Sequence, residues 1–522
     1  MRTPLKRTYY CKSVSHNRRY HRQLWNVLKE LNPSKKSNPE KITGLKIDSV
    51  LENDIANIVN HLNEYFASIG SHVCTNSSAS NPDVSCTKER FSATPSHSFK
   101  FSEISEDFVL NELQNLQTNK ATGLDTISAQ LLKVAAPAIY KQLTYLFNLT
   151  LKTGKIPSDW KEAKVSPIYK GGDRTDKNNY RPISVISVVM KILERAVHDQ
   201  LQTYLMEHNM LSAQQSGFRK GHSTDTVLTF FYDYLLKQMD VGNLTGVVFL
   251  DFRKAFDSVN HELLLQKLQT FGVQGIELAW FKDYLDKRKQ KTVIGEAESN
   301  WSTILSGVPQ GSILGPLLFT IMVNDLPNSV SICQIMLYAD DAELFYSSPK
   351  PEDIERTLNL ELVNVHEWVK ANKLALNLLK TQYMIFGSSN KLSNIRNPIC
   401  LAIDEHQLSQ VDSFKYLGVW LDPTLNWKEH VKNTSKKIGA RIARLGRTKK
   451  YLPCSSLKLL ANSLVMPLFE YCCNAWSNCS QNVKDTLIKQ HKKMARVILG
   501  ADVRTPTQNL FKRLHWVNIE EL

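Results

Sequence analysis

Two acidic strand ends constrain the fold of this chain more than any other feature. In QIMLYADDAELFY (residues 334–346), two apolar and aromatic runs flank Ala-Asp-Asp-Ala, which is short enough to be the turn of a β-hairpin. In residues 245–252, Asp251 interrupts a β-branched and apolar run that is typical of a buried strand. An unpaired carboxylate there is costly unless something cationic neutralises it. Asp340 and Asp341 are either solvated turn residues or, together with Asp251, ligands that share divalent cations.

A segment rich in glycine and proline lies between these strand ends. In GVPQGSILGPLLF (residues 307–319), the glycines let the backbone approach a ligand closely, and the apolar residues predict a helix from about Ser312 to about Asn324. Such a loop alone is weak evidence for any function. The order of an acidic strand end, a glycine-rich loop with its helix, and an acidic hairpin is nevertheless specific.

Asp257 has an ordinary structural interpretation. From this residue onward Val259, Leu263 and Leu268 recur at helical spacing. The pattern therefore predicts a helix that begins at Asp257, with its carboxylate as a helix-start residue.

In this order the motifs resemble those of reverse transcriptases of non-LTR (LINE-like) retrotransposons. FLDFRKAFD resembles polymerase motif A, GVPQGSILGPLLF motif B, LYADD motif C, WVKANKLALNLLKTQYMIFG motif D and FKYLGVWLD motif E, while NYRPIS and QQSGFRKGHST resemble segments of the fingers. The resemblance runs over about residues 120–425. It implies an α+β, right-hand polymerase fold, with fingers, a palm built on an antiparallel sheet, and a helical thumb.

The resemblance implies that Asp251, Asp340 and Asp341 are the catalytic residues and the metal ligands. Nucleotidyl transfer uses two Mg²⁺ ions, one at the primer 3'-hydroxyl and one at the triphosphate, with Mn²⁺ as an alternative ion. Carboxylate oxygens are the ligands that Mg²⁺ prefers. The principal ligands would be Asp251 and Asp340, with Asp341 as the third.

Further roles at the nucleotide follow from the same resemblance. Gln310 would lie under the incoming nucleotide, Arg181 would bind its triphosphate, and Lys380 would neutralise or protonate the leaving group. Phe256, five residues after Asp251, would place its ring beneath the deoxyribose and exclude a 2'-hydroxyl. Arg181 and Lys380 could equally be surface cations, and Phe256 a core residue.

The net charge of +15 is concentrated in two places, residues 1–50 and residues 431–450, and the second stretch holds 8 Lys and Arg and no acid. There Val431, Ile438, Ile442 and Leu445 share one helical face, which predicts a packed helix with a cationic outer surface. That surface either is simply solvated or binds a polyanion, most commonly nucleic acid. Candidate template and primer contacts are Arg219, Lys220, Lys436 and Arg444.

Composition shifts divide the chain into four parts. Residues 1–74 form a basic helical region, residues 75–100 a linker rich in Ser, Asn, Thr and Pro, residues 101–425 the fingers and palm, and residues 426–522 a basic helical thumb.

Cysteines and hydropathy indicate the compartment. The 9 cysteines include one cluster, Cys472, Cys473 and Cys479, without a nearby His, which favours buried thiols over a zinc site. No apolar run has the roughly 20 residues that a membrane span needs. We therefore expect an intracellular protein without a membrane partner. The resemblance implies action in the nucleus, although the sequence has no clear targeting signal.

Three functions are consistent with these observations. The first is an RNA-directed DNA polymerase that takes an RNA template, a DNA primer and dNTPs. The second is an RNA-binding relic that folds but has lost catalysis, and the third is an RNA-dependent RNA polymerase, which shares the palm. The sequence does not indicate the oligomeric state. The family also leads us to expect an endonuclease ahead of the linker, and residues 1–100 are too short to contain one.

Overall fold

The computed structural model describes residues 2–18, 20–31, 42–48, 50–75 and 97–517. Most of the predicted linker, residues 76–96, lies outside this described part of the chain. The helices are α1 (Arg2–His16), α2 (His21–Leu31), α3 (Ile55–Thr75), α4 (Glu106–Gln114), α5 (Ala129–Thr153), α6 (Val188–Glu207), α7 (Thr224–Asp240), α8 (His261–Thr270), α9 (Gly275–Leu285), α10 (Leu314–Val323), α11 (Pro351–Ala371), α12 (Ser389–Ser393), α13 (Lys428–Thr448), α14 (Cys454–Leu464), α15 (Met466–Glu470), α16 (Cys473–Trp476), α17 (Gln481–Leu499) and α18 (Thr507–Leu514). The strands are β1 (Leu45–Ile47), β2 (Val50–Glu52), β3 (Glu162–Tyr169), β4 (Tyr180–Ile186), β5 (Leu244–Asp251), β6 (Arg288–Ile294), β7 (Ala297–Glu298), β8 (Ser302–Ile304), β9 (Gln334–Tyr338), β10 (Asp341–Ser348), β11 (Gln382–Phe386), β12 (Ala402–Ile403), β13 (His406–Gln407), β14 (Ser409–Gln410), β15 (Phe414–Tyr416) and β16 (Val419–Leu421).

The central sheet has five strands in the order β14-β11-β5-β10-β9. Strand β5 pairs antiparallel with both β10 and β11, and every residue of β5 before Asp251 is buried, as its apolar run predicts. Helix α11 packs against β10 and β5. A Cβ on Gly246 would lie 2.5 Å from Cγ2 of Ile354, so glycine permits this close approach of helix and sheet. The fold is therefore α+β, with an antiparallel pair at its centre.

A second sheet has the order β4-β3-β6-β7, with β8 also paired to β6. Helix α3 packs on β6, β7 and β8, although it precedes them by more than two hundred residues. Asn63 of α3 is buried, donates to the carbonyl oxygen of Asn300 at 2.9 Å and to Oγ of Ser302 at 2.8 Å, and accepts from Gln290 and Thr292. This satisfied polar network fixes α3 to the sheet.

The helices after residue 427 form a bundle with the first two helices of the chain. Val431, Ile438, Ile442 and Leu445 of α13 are buried, which confirms the helix and its apolar face. Helix α2 packs against α13 and α14, and α1 packs against α14. The predicted N-terminal region therefore divides: its first two helices join the C-terminal bundle, whereas α3 joins the second sheet.

The cysteine cluster at residues 472–479 is mostly buried. Cys472 and Cys479 are buried free thiols, as predicted, whereas Cys473 is only partly buried. No described helix is both long and apolar enough to cross a membrane.

His491 should make the bundle sensitive to acid. Its ring is fully buried against Phe511 and Trp516, neither ring nitrogen has a partner among the described residues, and burial lowers the pKa of His491 to about 4. The unfolded chain takes up a proton at this histidine from about pH 6.5 downward, whereas the folded chain resists it. The contribution of neutral His491 to the free energy of unfolding is therefore fully present above that pH and is lost as the pH falls.

We predict that His491→Leu reduces the loss of unfolding free energy between pH 7 and pH 4 by about 2–3 kcal/mol. The measurement is the thermal midpoint as a function of pH for the parent and the variant. His16→Leu, at an exposed histidine of α1, serves as the control. Parallel pH curves for the parent and His491→Leu would contradict the prediction.

Candidate active site

The register of two strands brings the predicted carboxylates together. Asp251 ends β5, and Asp341 begins β10 directly opposite it in the antiparallel pair. Residues directly opposite each other point to the same face, with Cβ atoms about 4.5–5.5 Å apart. Asp340 lies beside them in the turn between β9 and β10, where Ala339 adopts a left-handed conformation (φ 60°). The predicted hairpin is thus present, and all three carboxylates line one cavity of about 1190 Å³.

The carboxylates of Asp251, Asp340 and Asp341 repel one another. Desolvation, followed by the charges of Asp340 and Asp251, raises the pKa of Asp341 to about 6. Desolvation also raises the pKa of Asp251, and the nearby Lys380 partly offsets that shift. The cluster therefore has affinity for added positive charge.

The donor set fits Mg²⁺ as it binds at phosphate-transfer sites. Among the described residues, no three Asp, Glu, His or Cys side chains form a ready-made group around a single ion. Mg²⁺ is commonly bound by one or two carboxylates, with waters and substrate phosphates completing its shell. Asp251 and Asp341, paired across the strands, supply such carboxylates, with Asp340 beside them.

The segment before β11 fixes Asp251 from the other side. The backbone N–H of Asn377 donates to the carbonyl oxygen of Asp251 at 2.7 Å, and the N–H of Asp251 donates to Oγ1 of Thr381 at 3.3 Å. These bonds place Lys380 at the wall of the same cavity, next to Asp251.

Cations also form part of the cavity wall. Arg181, a candidate from the sequence, lines the cavity together with Lys170 and Lys254, which the sequence did not single out. Burial and the neighbouring cations lower the pKa of Lys254 to about 8, against the opposing effect of Asp257. A wall of this composition suits a ligand with several negative charges.

Phe256 is packed against other aromatic rings and also faces the cavity. Its ring stacks on Phe319 of α10 with centroids 4.6 Å apart, and it makes a T-shaped contact with the ring of Phe218, with centroids 6.3 Å apart. Phe256 also lines the cavity. The ring is therefore packed firmly from behind while remaining accessible to a ligand.

The interpretation of Asp257 as a helix-start residue was wrong. Residues 253–258 remain in turns, with Lys254 at φ 51°, and the helix α8 begins only at His261. Its cap is Asn260, which accepts from the N–H of Leu263 at 3.0 Å. The helix predicted from about Ser312 to about Asn324 is confirmed, since α10 spans Leu314–Val323.

Asp257 instead holds Gln310. Both carboxylate oxygens accept from Nε2 of Gln310, at 2.8 and 2.7 Å, and burial raises the pKa of Asp257 to about 6. The carbonyl oxygen of Gln310 accepts from the N–H of Ser184 at 2.8 Å. Gly311 (φ 122°) follows, and a Cβ there would lie 2.5 Å from the carbonyl oxygen of Ser184. The glycine-rich loop thus brings Gln310 to the cavity wall.

The four candidate nucleic-acid contacts differ in their surroundings. Arg219 is partly buried and donates through one terminal nitrogen to the carbonyl oxygens of Ser212 (2.7 Å) and Gln215 (3.0 Å), whereas Lys220 is exposed. On α13, Lys436 is exposed, but the guanidinium of Arg444 lies 5.1 Å from the ring centroid of Trp25 in α2. Lys220 and Lys436 are thus the candidates most open to a polyanion.

Comparison with known proteins identifies the region that contains this site. Residues 168–421 match the family described as reverse transcriptase (RNA-dependent DNA polymerase). In Drosophila melanogaster, the probable RNA-directed DNA polymerase from transposon BS is 27% identical over 79% of this chain and 46% of its own length. The corresponding protein from transposon X-element is 28% identical over 74% of this chain and 42% of its own length. The RNA-directed DNA polymerase from mobile element jockey is 26% identical over 80% and 46%. The chain therefore spans less than half the length of these relatives.

The carboxylate cluster predicts a measurable response to divalent cations. At pH 8 without metal, Asp341→Asn should raise the thermal midpoint, because it removes like-charge repulsion. A bound ion at ten times its Kd should stabilise the parent by about 1.4 kcal/mol. The variant should gain less, and the parent's affinity should fall below about pH 6 because Asp341 is then protonated.

Differential scanning fluorimetry with Mg²⁺ or Mn²⁺ titrations provides the measurement. Asp412→Asn, at an exposed carboxylate outside the cavity, serves as the control. Equal gains for the parent and Asp341→Asn would exclude Asp341 as a ligand.

Proposed function

We propose that this chain copies RNA into DNA by two-metal nucleotidyl transfer. The premise is that it carries a reverse transcriptase domain at residues 168–421 and is related to the RNA-directed DNA polymerases of non-LTR retrotransposons. The observation that carries the proposal is the pairing of Asp251 with Asp341, beside Asp340, in one cavity with Arg181, Lys170 and Lys254. Acids and cations that line the same cavity match the two needs of the reaction, metal binding and phosphate binding. The substrates proposed are an RNA template, a DNA primer and dNTPs.

The metal would be held by Asp251, Asp340 and Asp341. Bound Mg²⁺ supplies Lewis acidity at the primer 3'-hydroxyl and charge neutralisation at the triphosphate. The protein's own share is to hold the carboxylates in register through the β5–β10 pair and to keep Asp251 fixed by its bonds to Asn377 and Thr381.

The cations act on the triphosphate in this proposal. Arg181, Lys170 and Lys254 would bind the phosphates, while Lys380, beside Asp251, would neutralise the departing pyrophosphate or donate a proton to it. Preorganised cations of this kind stabilise charge that develops during the reaction.

The template and primer would lie along the cationic surfaces that flank the cavity. Lys436 on the outer face of α13 and Lys220 in the loop before α7 are exposed, as phosphate contacts need to be. We assign Arg444 a smaller share, because its guanidinium already packs on Trp25. Arg219 would act mainly by stabilising its loop, because it donates hydrogen bonds to the backbone carbonyl oxygens of Ser212 and Gln215.

DNA rather than RNA as the product is supported by Phe256. The ring is backed by Phe319 and has little room to retreat, so it would exclude a 2'-hydroxyl by occupying its volume. This favours a reverse transcriptase over the RNA-dependent RNA polymerase alternative. Only a measurement of polymerase activity distinguishes an active enzyme from an RNA-binding relic that has lost catalysis.

We predict that Asp251→Asn or Asp340→Asn abolishes extension of a DNA primer on an RNA template with dNTPs and Mg²⁺. Each change removes a metal ligand but leaves the cationic surfaces intact, so RNA binding should be nearly unchanged. Asp412→Asn should extend the primer like the parent. A variant rate within about tenfold of the parent, which is about 1.4 kcal/mol of barrier, would exclude the metal assignment. An inactive parent that still binds RNA would identify a relic.

We further predict that Phe256→Val preserves much of the dNTP activity and raises rNTP incorporation substantially. The quantity to measure is the ratio of dNTP to rNTP incorporation in the parent and the variant. Phe230→Val, at an exposed ring of α7, is the matched control and should leave the ratio unchanged. If Phe256 is only a core residue, both activities should fall together with the thermal midpoint.

A further inference from the structure

The segment at residues 214–217 adds a short edge to the central sheet beside the catalytic turn. The N–H of Ser216 donates to the carbonyl oxygen of Leu337, and the N–H of Leu337 donates to the carbonyl oxygen of Gln214, both at 2.9 Å. Leu337 lies on β9, two residues before Ala339. A segment from the region between α6 and α7 is therefore fixed against the strand that leads into Asp340.

Gln215 reaches from this segment to the turn itself. Its side chain is fully buried, and Oε1 accepts from the backbone N–H of Ala339 at 3.1 Å and from that of Gly217 at 2.7 Å. Ala339 has φ 60°, a conformation that residues other than glycine adopt only at an energetic cost. Such backbone persists where its surroundings hold it, and the amide oxygen of Gln215 provides that hold.

Gly217 makes the contact possible. A Cβ at this position would lie 2.1 Å from the backbone nitrogen of Ala339. Only glycine lets the two backbones approach this closely.

The two ends of the Gln215 amide are not equivalent. Within the described residues Nε2 has no hydrogen-bond partner, although it is buried, and an unmade bond of this kind is costly. The role of the side chain therefore lies in its oxygen. A carboxylate at this position would preserve that acceptor, whereas a thioether would not.

We propose that Gln215 is a positioning residue, which acts through the backbone of Ala339 to hold Asp340 where it can bind metal. This inference rests on the proposed function. It makes the QQSG stretch part of the metal-binding apparatus, although none of its side chains is a metal ligand. Loss of the groups that orient metal ligands typically lowers metal affinity or activity by about 10-fold to 100-fold.

The test compares Gln215→Met, which removes the acceptor, with Gln215→Glu, which keeps it. We expect Gln215→Met to lower the extension rate and to raise the Mn²⁺ concentration for half-saturation, each by about 10-fold or more, with Gln215→Glu clearly closer to the parent. Mn²⁺ binding is measured by electron paramagnetic resonance without nucleic acid, so that it does not depend on turnover. The matched control is Gln269→Met, at an exposed glutamine of α8 that does not line the cavity.

Two results would overturn the inference. One is Gln215→Met with the rate and Mn²⁺ affinity of the parent. The other is an equal loss in both Gln215 variants that follows their thermal midpoints, which would indicate a purely structural role. A parent that extends no primer would contradict the proposed function instead, and the Mn²⁺ comparison would still test the positioning of Asp340.

Discussion

The cross-strand pairing of Asp251 with Asp341 is the interaction on which the site depends. Like charges directly opposite each other destabilise an antiparallel pair, so this register is unfavourable by itself. It persists because β5 before Asp251 and most of β10 are buried, and a one-residue slip would exchange the side chains between the two faces of the sheet and disrupt their packing. The hydrophobic core thus enforces a repulsive arrangement that favours cation binding. Stability and the proposed chemistry oppose each other at this point.

Two separate segments hold that arrangement. The bonds from Asn377 and Thr381 hold Asp251 from one side, and Gln215 holds the turn from the other. Each bond joins residues more than a hundred positions apart in the chain. The geometry of the carboxylates is therefore a property of the folded domain and not of the acidic motifs themselves.

This distinction explains what the sequence could predict. The hairpin, the buried strand, the helix α10 and the apolar face of α13 follow from local periodicity, which a single sequence displays directly. Asp257 was misjudged because its partner, Gln310, lies in another motif, and the spacing after Asp257 cannot show that contact. Gln215 and the packing of Arg444 on Trp25 were missed for the same reason. Contacts between distant segments leave no periodic signal.

The same principle extends the site beyond the matched family region. Tyr65 of α3 donates from its hydroxyl to Oδ1 of Asn178 at 2.7 Å, and Nζ of Lys254 lies 5.7 Å from the centroid of its ring. A Cβ on Gly70 would lie 1.7 Å from Oγ of Ser306, so α3 also packs tightly against the start of the glycine-rich loop. These contacts pack α3 against both Lys254, which lines the cavity, and the loop that carries Gln310. Because α3 precedes residue 168, the structural unit that supports the cavity is larger than the region that the family match covers.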